Sequence, residues 1–172
     1  MIKLTRTNKI FVFLVLFLIN INTTWGMEMK NENIWEFIKT VQITLQQSQS
    51  KIIDSAGLSF KLQRETNNTV YFTGQALMLK DQIAINNVDL RVSKGKNVQP
   101  AFLSFEVSGK CISKSDVKEK YPDLSLTGTP GGRSLDETTS YTTVPDANGM
   151  TLTFSFAERN PDCLKRVIFD SI

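Results

Sequence analysis

Carboxylates are the residues of this sequence best suited to chemistry, because the chain contains no histidine. The adjacent Asp136 and Glu137 could act as a glycosidase-like acid and base. Further candidates for such a pair are Glu119, Asp123, Glu158 and Asp162. All of them fall in predicted turns or on exposed faces, where charged groups are normally solvated. We therefore predict that the protein is not an enzyme, and a small carboxylate-dependent hydrolase is the enzymatic alternative.

The lack of histidine also excludes the Ser-His-Asp and Cys-His arrangements and most zinc sites. Two cysteines, Cys111 and Cys163, are too few to form a structural metal site by themselves. Without histidine, neither thiol has the usual base that would activate it as a nucleophile. We predict no metal and no cofactor.

A glycine-rich segment, residues 124–137 (LSLTGTPGGRSLDE), is the strongest candidate for binding. Its backbone amides and Arg133 could hold an anion, although the segment lacks the spacing and Lys-Ser/Thr ending of a P-loop. It could instead be a mobile connector, or a loop that enters a partner's cleft with Arg133 as the anchor. The predicted partner-binding residues are Thr127, Gly128, Gly131, Gly132, Arg133, Ser134, Tyr141 and Trp35. Packing roles are the alternative for Tyr141 and Trp35.

The N-terminal residues 1–26 have the layout of a secretory signal: a basic start, an apolar run and a small residue, Gly26, at the expected cleavage site. The apolar run is too short to span a bilayer, so we expect no membrane anchor after cleavage. This segment holds three of the 20 basic residues and none of the 17 acidic ones, so 17 of each remain. A neutral mature chain gives no reason to expect nucleic acid as a partner. In an exported chain, Cys111 and Cys163 are predicted to form a disulfide.

Hydrophobic spacing predicts the elements that must position these residues. Residues 31–53 have a helical pattern, and residues 58–63, 70–79 and 83–92 have strand patterns. After a polar connector at 93–100, a strand at 101–107 leads to a Ser113–Asp116 capping box, which starts a short helix that Tyr121-Pro122 ends. Strands are predicted at 139–144, 150–157 and 163–170.

The predicted fold is α+β: an antiparallel sheet, or sheets, with a long N-terminal helix, a short helix and one disulfide. Residues 27–172 would form a single domain, or two lobes at 27–97 and 98–172. The element order in the second half, with Cys111 and Cys163, resembles the helix-plus-sheet modules of exported bacterial inhibitor and assembly proteins, such as β-lactamase-inhibitor-like and outer-membrane-assembly lipoprotein domains. The chain departs from those lipoproteins because it lacks their lipidated cysteine.

These features together predict a periplasmic binding protein of a Gram-negative bacterium, with secretion to the medium as the alternative location. The most specific hypothesis is an immunity or inhibitor protein that binds and neutralises a cell-envelope-targeting hydrolase or toxin. An envelope structural or assembly factor, docking through a sheet edge or the Trp35 helix face, is the competing class.

Overall fold

The computed structural model describes residues 28–46, 58–94 and 102–171. Two helices lie in these ranges, α1 (Ile34–Leu45) and α2 (Lys114–Lys120). The strands are β1 (Glu28–Lys30), β2 (Phe60–Glu65), β3 (Thr69–Gly74), β4 (Leu77–Leu79), β5 (Ile83–Ser93), β6 (Phe102–Gly109), β7 (Leu124–Gly128), β8 (Thr138–Thr143), β9 (Met150–Ala157) and β10 (Leu164–Ser171).

All ten strands belong to one sheet, with the order β1-β4-β5-β6-β10-β9-β8-β7 and the β2–β3 hairpin attached to β5. The long strand β5 has two partners along one edge: β4 near Ile85 and β3 from Val88 to Ser93. β3 ends at Gly74, where a Cβ would lie only 2.8 Å from the Cβ of Val88. A glycine is therefore needed where the two strands approach each other.

The structure corrects the predicted fold class. Of the described residues, 52% lie in strands and 15% in helices, so the protein is mostly β and the predicted α+β fold with a long N-terminal helix is wrong. The sheet is mixed rather than antiparallel, because β1 pairs in parallel with β4. Three residues are too few to show a strand period in the sequence, so this pair could not be predicted.

Helix α1 is shorter than predicted because its buried stripe ends at Leu45. It starts with a capping box in which Asn33 accepts hydrogen bonds from the backbone of Trp35 and Glu36. The helix ends at Leu45, with Gln46 as its C-cap. The predicted helical residues 47–53 lie outside the described residues.

The core lies between the helices and one face of the sheet. Phe37 of α1 packs edge-on against Phe105 of β6 at 5.4 Å between ring centroids, and Phe105 packs against Phe169 of β10 at 6.1 Å. The alternation predicted for β6 is confirmed, because Leu103, Phe105 and Val107 are buried and their neighbours are not. In β9 the predicted core residues Leu152, Phe154 and Phe156 are buried, but Thr151 and Ser155 on the opposite face are buried too. We call this side of the sheet the helix face, and the opposite side, with Ser104 and Glu106, the open face.

The predicted disulfide is present and fixes α2 to the sheet. Cys111 precedes α2 and Cys163 precedes β10, with 5.2 Å between their Cα atoms and a sequence separation of 52. The backbone N–H of Leu164 donates to the carbonyl of Ile112 at 2.8 Å beside the bridge. The predicted capping box is also confirmed, with Ser113 and Asp116 bonding each other's backbone. α2 ends at Lys120, with Tyr121 as its C-cap directly before Pro122.

Candidate functional site

The glycine-rich segment 124–137, predicted as a loop, consists of strand β7 followed by the residues that connect it to β8 in a hairpin. The two strands pair through Leu124 with Thr143 and Leu126 with Tyr141. The connecting residues, 129–137, form a loop that we call the hairpin loop. The strands position both ends of this loop, and β9 supports β8 from its other side.

Glu137 holds the hairpin loop in shape from within. Its carboxylate accepts hydrogen bonds from the backbone N–H of Gly131 at 2.5 Å and of Arg133 at 3.2 Å. Its own N–H donates to the carbonyl of Ser134 at 3.2 Å. Gly132 has φ of 75°, a conformation that glycine adopts without strain. The two amides that could have cradled an external anion thus already bind the carboxylate of the loop itself.

A second set of contacts ties the hairpin loop to the turn between β9 and β10. The backbone N–H of Glu158 donates to the carbonyl of Glu137 at 2.9 Å, and that of Arg159 to the carbonyl of Leu135 at 2.8 Å. The Arg159 guanidinium also lies 3.3 Å from the carboxylate of Asp136. These bonds argue against a mobile connector, because they fix the loop to its neighbour.

The hairpin loop presents two exposed side chains of different character. Arg133 is exposed, and within the described ranges its guanidinium has no ion pair or hydrogen bond. Leu135, two residues later, is 61% exposed. A free cation beside an exposed apolar group is a combination that suits a protein contact.

Beneath the hairpin loop lies a polar groove of about 490 Å³ on the open face. Its loop wall contains Thr129, Pro130 and Thr138, and its sheet wall consists of Glu106, Lys165 and Arg166. These three form an ion-pair network: the Glu106 carboxylate accepts from Lys165 Nζ at 2.9 Å, from Arg166 at 2.7 Å and from Asn87 Nδ2 at 2.9 Å.

The electrostatics of Glu106 exclude it as a general acid. Burial alone would raise its pKa, but the hydrogen bonds from Arg166, Lys165 and Asn87 outweigh burial and lower the pKa to about 2. The carboxylate is therefore ionised at physiological pH and accepts hydrogen bonds from all three of these side chains. We interpret the network as structural.

The other carboxylates considered for catalysis are either hydrogen-bonded within the protein or exposed to solvent. Asp136 contacts Arg159, and Glu137 bonds the loop amides. The side chains of Glu119, Asp123, Glu158 and Asp162 are exposed. No group of three or more histidine, cysteine or acidic residues in the described ranges could hold a metal ion.

The structure does not bring all the predicted binding residues together. Thr127 is bound in a hydroxyl ladder on the open face, where Thr127 and Thr142 lie 2.7 Å apart and Thr142 and Thr153 2.8 Å apart. Gly128 faces Ser140 at the bulge that ends β7. The Ser134 hydroxyl accepts from the N–H of Asp136. Gly131, Gly132 and Arg133 form the exposed turn of the loop.

The two predicted aromatic contacts lie on the helix face instead. Tyr141 packs against Phe156 at 6.1 Å, and Trp35 packs against Tyr121 at 6.4 Å. Both are half-buried, and among the described residues none of the aromatic or cation–π contacts of either ring involves the hairpin loop. The sequence did not predict that the Glu137 carboxylate binds the backbone amides of its own loop. A spacing of six residues from Gly131 does not indicate that the chain turns back between the two residues.

No known family model, characterised protein or solved structure matches the chain. The resemblance to inhibitor and assembly modules therefore stays a prediction. None of the described helices has the length and apolar character needed to cross a membrane.

Proposed function

We propose that this is an exported, periplasmic binding protein: an immunity or inhibitor protein that neutralises a cell-envelope-targeting hydrolase or toxin by direct contact. The hairpin loop is the contact, with Arg133 as its anchor. The export proposal is supported by the signal-like pattern of residues 1–26, which lie outside the described residues.

The observation that carries this proposal is the internal closure of the hairpin loop by Glu137. Ordering a flexible loop on binding costs free energy, and a loop already held by hydrogen bonds avoids most of that cost. Connecting the two strands of a hairpin takes only about two to five residues. A loop of residues 129–137 that is also held by internal hydrogen bonds is therefore more than a connection. A longer loop, fixed internally and presenting an unpaired Arg133, fits a preformed contact for an acidic pocket of a partner.

Two alternative functions were predicted, an envelope assembly factor and a carboxylate-dependent hydrolase. Only the assembly factor has a specific supporting observation. A sheet edge is exposed at β7, which would permit docking through a strand. The Trp35 face is less suitable, because that ring packs against Tyr121. A carboxylate-dependent hydrolase has weaker support, since Asp136 and Glu137 are each engaged in contacts of the loop.

The test uses the tagged mature chain, residues 27–172, incubated with periplasmic extract and with extract from toxin-exposed cells. We expect a stoichiometric complex with an envelope-acting enzyme whose activity falls on binding. Arg133→Glu should weaken the complex by at least about tenfold, the loss of one interface anchor. Lys61→Glu is the matched control: it makes the same change of charge at an exposed residue of β2.

Two results would contradict the proposal. A chain that forms no complex with any envelope enzyme, or binds one without affecting its activity, is not an inhibitor. If Arg133→Glu and Lys61→Glu bind equally well, the hairpin loop is not the contact.

A further inference from the structure

We propose that the outer edge of β7 receives an extended segment of the protein partner as an additional strand, with apolar and acidic side chains on the segment's helix-face side. This inference deepens the proposed function and rests on it, because the same hairpin carries both the edge and the hairpin loop. Strand addition supplies affinity through backbone hydrogen bonds and specificity through alternate side chains.

Strand β7 is an open edge. It is the last strand in the sheet order and, among the described strands, pairs with β8 alone. The backbone groups on its outer side therefore have no partner strand in the described part of the chain. Unpaired edges of this kind pair readily with other chains, and proteins normally protect them.

β2, the outer strand of the hairpin attached to β5, is an edge strand with the usual protection, whereas β7 is not protected. β2 also pairs with one strand alone, but it carries three charged residues, Lys61, Arg64 and Glu65. β7 has the sequence LSLTG, with no charge and no proline. The two edges expose a leucine to the same extent, Leu62 at 54% and Leu126 at 56%, so charge is what distinguishes them.

The surroundings of β7 specify the segment that fits. Leu126 lies opposite Tyr141 on the helix face, and two lysines of α2 lie over that tyrosine ring: Lys114 Nζ at 5.5 Å and Lys118 Nζ at 5.8 Å from its centroid. An added strand would place one side chain beside Leu126 and others near these ammonium groups. Apolar and acidic residues respectively suit those positions.

The same lysines disfavour a second copy of this chain as the occupant. Two-fold antiparallel pairing of β7 with itself keeps both helix faces on the same side of the joined sheet. The lysines of the two α2 helices would then face each other across the new strand pair, and like charges repel. Five residues of edge are also a small contact compared with what a stable dimer buries.

The experiment measures amide hydrogen exchange and chemical shifts of the isotope-labelled mature chain by nuclear magnetic resonance. The probe is a capped peptide, TVTETVTET, which places valine and glutamate on one face and threonine on the other. We expect it to shift the signals of residues 124–128 and to slow exchange of their outward N–H groups. The matched peptide TVTKTVTKT should bind about tenfold more weakly, equivalent to about 1.4 kcal/mol.

Matched variants locate the contact. Leu126→Glu should weaken binding of the glutamate peptide by about tenfold or more, because it places a like charge beside the glutamates of the peptide. Leu62→Glu makes the same change at an equally exposed leucine of β2 and should leave binding unchanged. Both side chains are more than half exposed, so neither substitution should unfold the protein.

The inference would be overturned if the glutamate peptide bound the two leucine variants equally well, or if it slowed amide exchange in β2 instead of β7. It would also be overturned if all N–H groups of β7 exchanged slowly in the absence of the peptide. A concentration-dependent dimer that protects β7 would show a second copy as the occupant. If the partner enzyme loses binding to Arg133→Glu but not to Leu126→Glu, strand addition is wrong and the proposed function stands. Loss with both variants supports strand addition.

Discussion

The carboxylate of Glu137 accepts the backbone N–H of Gly131 at 2.5 Å, and this bond closes the hairpin loop. The acceptor and donor lie six residues apart on the two sides of the turn that presents Arg133. The loop therefore provides its own anion for amides that would otherwise be free, and its conformation is fixed before any partner binds.

Replacing Glu137 should loosen the loop without unfolding the sheet. In Glu137→Ala, we expect the N–H groups of Gly131 and Arg133 to exchange about tenfold faster, since each loses a charge-assisted hydrogen bond. The midpoint of thermal unfolding should change little, because the loop contributes no buried apolar side chain. Amide exchange followed by nuclear magnetic resonance measures both regions at once.

Asp136→Ala is the control for that variant, because its carboxylate contacts Arg159 rather than the loop amides. If the Glu137→Ala protein retained slow exchange at Gly131, the carboxylate would not be what closes the loop.

Glu106 should give the protein a stability that is lost in strong acid. Its pKa is about 2 in the folded protein against 4.5 as the ordinary value, so its contribution is complete above 4.5 and disappears as pH falls through 2. At pH 7, Glu106→Gln should lower the free energy of unfolding by about 2 kcal/mol, a value below the full shift because solvent screens the group. Denaturant unfolding at pH 7 and pH 3 measures this, and the difference from the wild type should shrink at pH 3.

The exposed pair of Glu65 with Lys94 provides the comparison for Glu106. Glu65→Gln should change stability by less than about 1 kcal/mol, as is usual for surface ion pairs. If Glu106→Gln and Glu65→Gln lower the free energy of unfolding equally, the network around Glu106 stabilises the protein no more than a surface ion pair does.

Breaking the disulfide should cost about 4 kcal/mol, because the bridge closes a long loop in the unfolded chain. We expect the Cys111→Ser, Cys163→Ser double variant to unfold at a markedly lower denaturant concentration than the oxidised protein. The wild type measured with reductant is the control and should match the variant. A wild type whose unfolding does not respond to reductant would contradict a stabilising role for the bridge.

Export should leave a mature chain that begins at Met27. Expression of the full sequence in a Gram-negative host should give a periplasmic product whose intact mass matches residues 27–172 with one disulfide. A product that retains residues 1–26, or stays in the cytoplasm, would remove the basis for the periplasmic location.

The elements with strong periodicity were predictable because alternating apolar residues indicate a strand with one buried face. The strand through Leu152, Phe154 and Phe156 and the capping box of Ser113 and Asp116 needed no tertiary information. The strand predicted at 139–144 is present as β8, but its polar sequence does not indicate its neighbours in the sheet; hydroxyl contacts join it to β7 and β9. The short parallel strand β1 likewise forms only because β4 is there to pair with it.

The sequence by itself determined the local features: the strands of the core, the start of each helix, the turn around Gly132 and the presence of two cysteines able to pair. The tertiary structure decided which residues meet. It joined the strands into one mixed sheet, left β7 as an uncharged edge, separated Tyr141 and Trp35 from the hairpin loop, and brought Glu137 onto the amides of Gly131 and Arg133. The reason is that periodicity and capping act over a few residues, whereas strand order and the folding of a loop onto its own carboxylate depend on packing between distant parts of the chain.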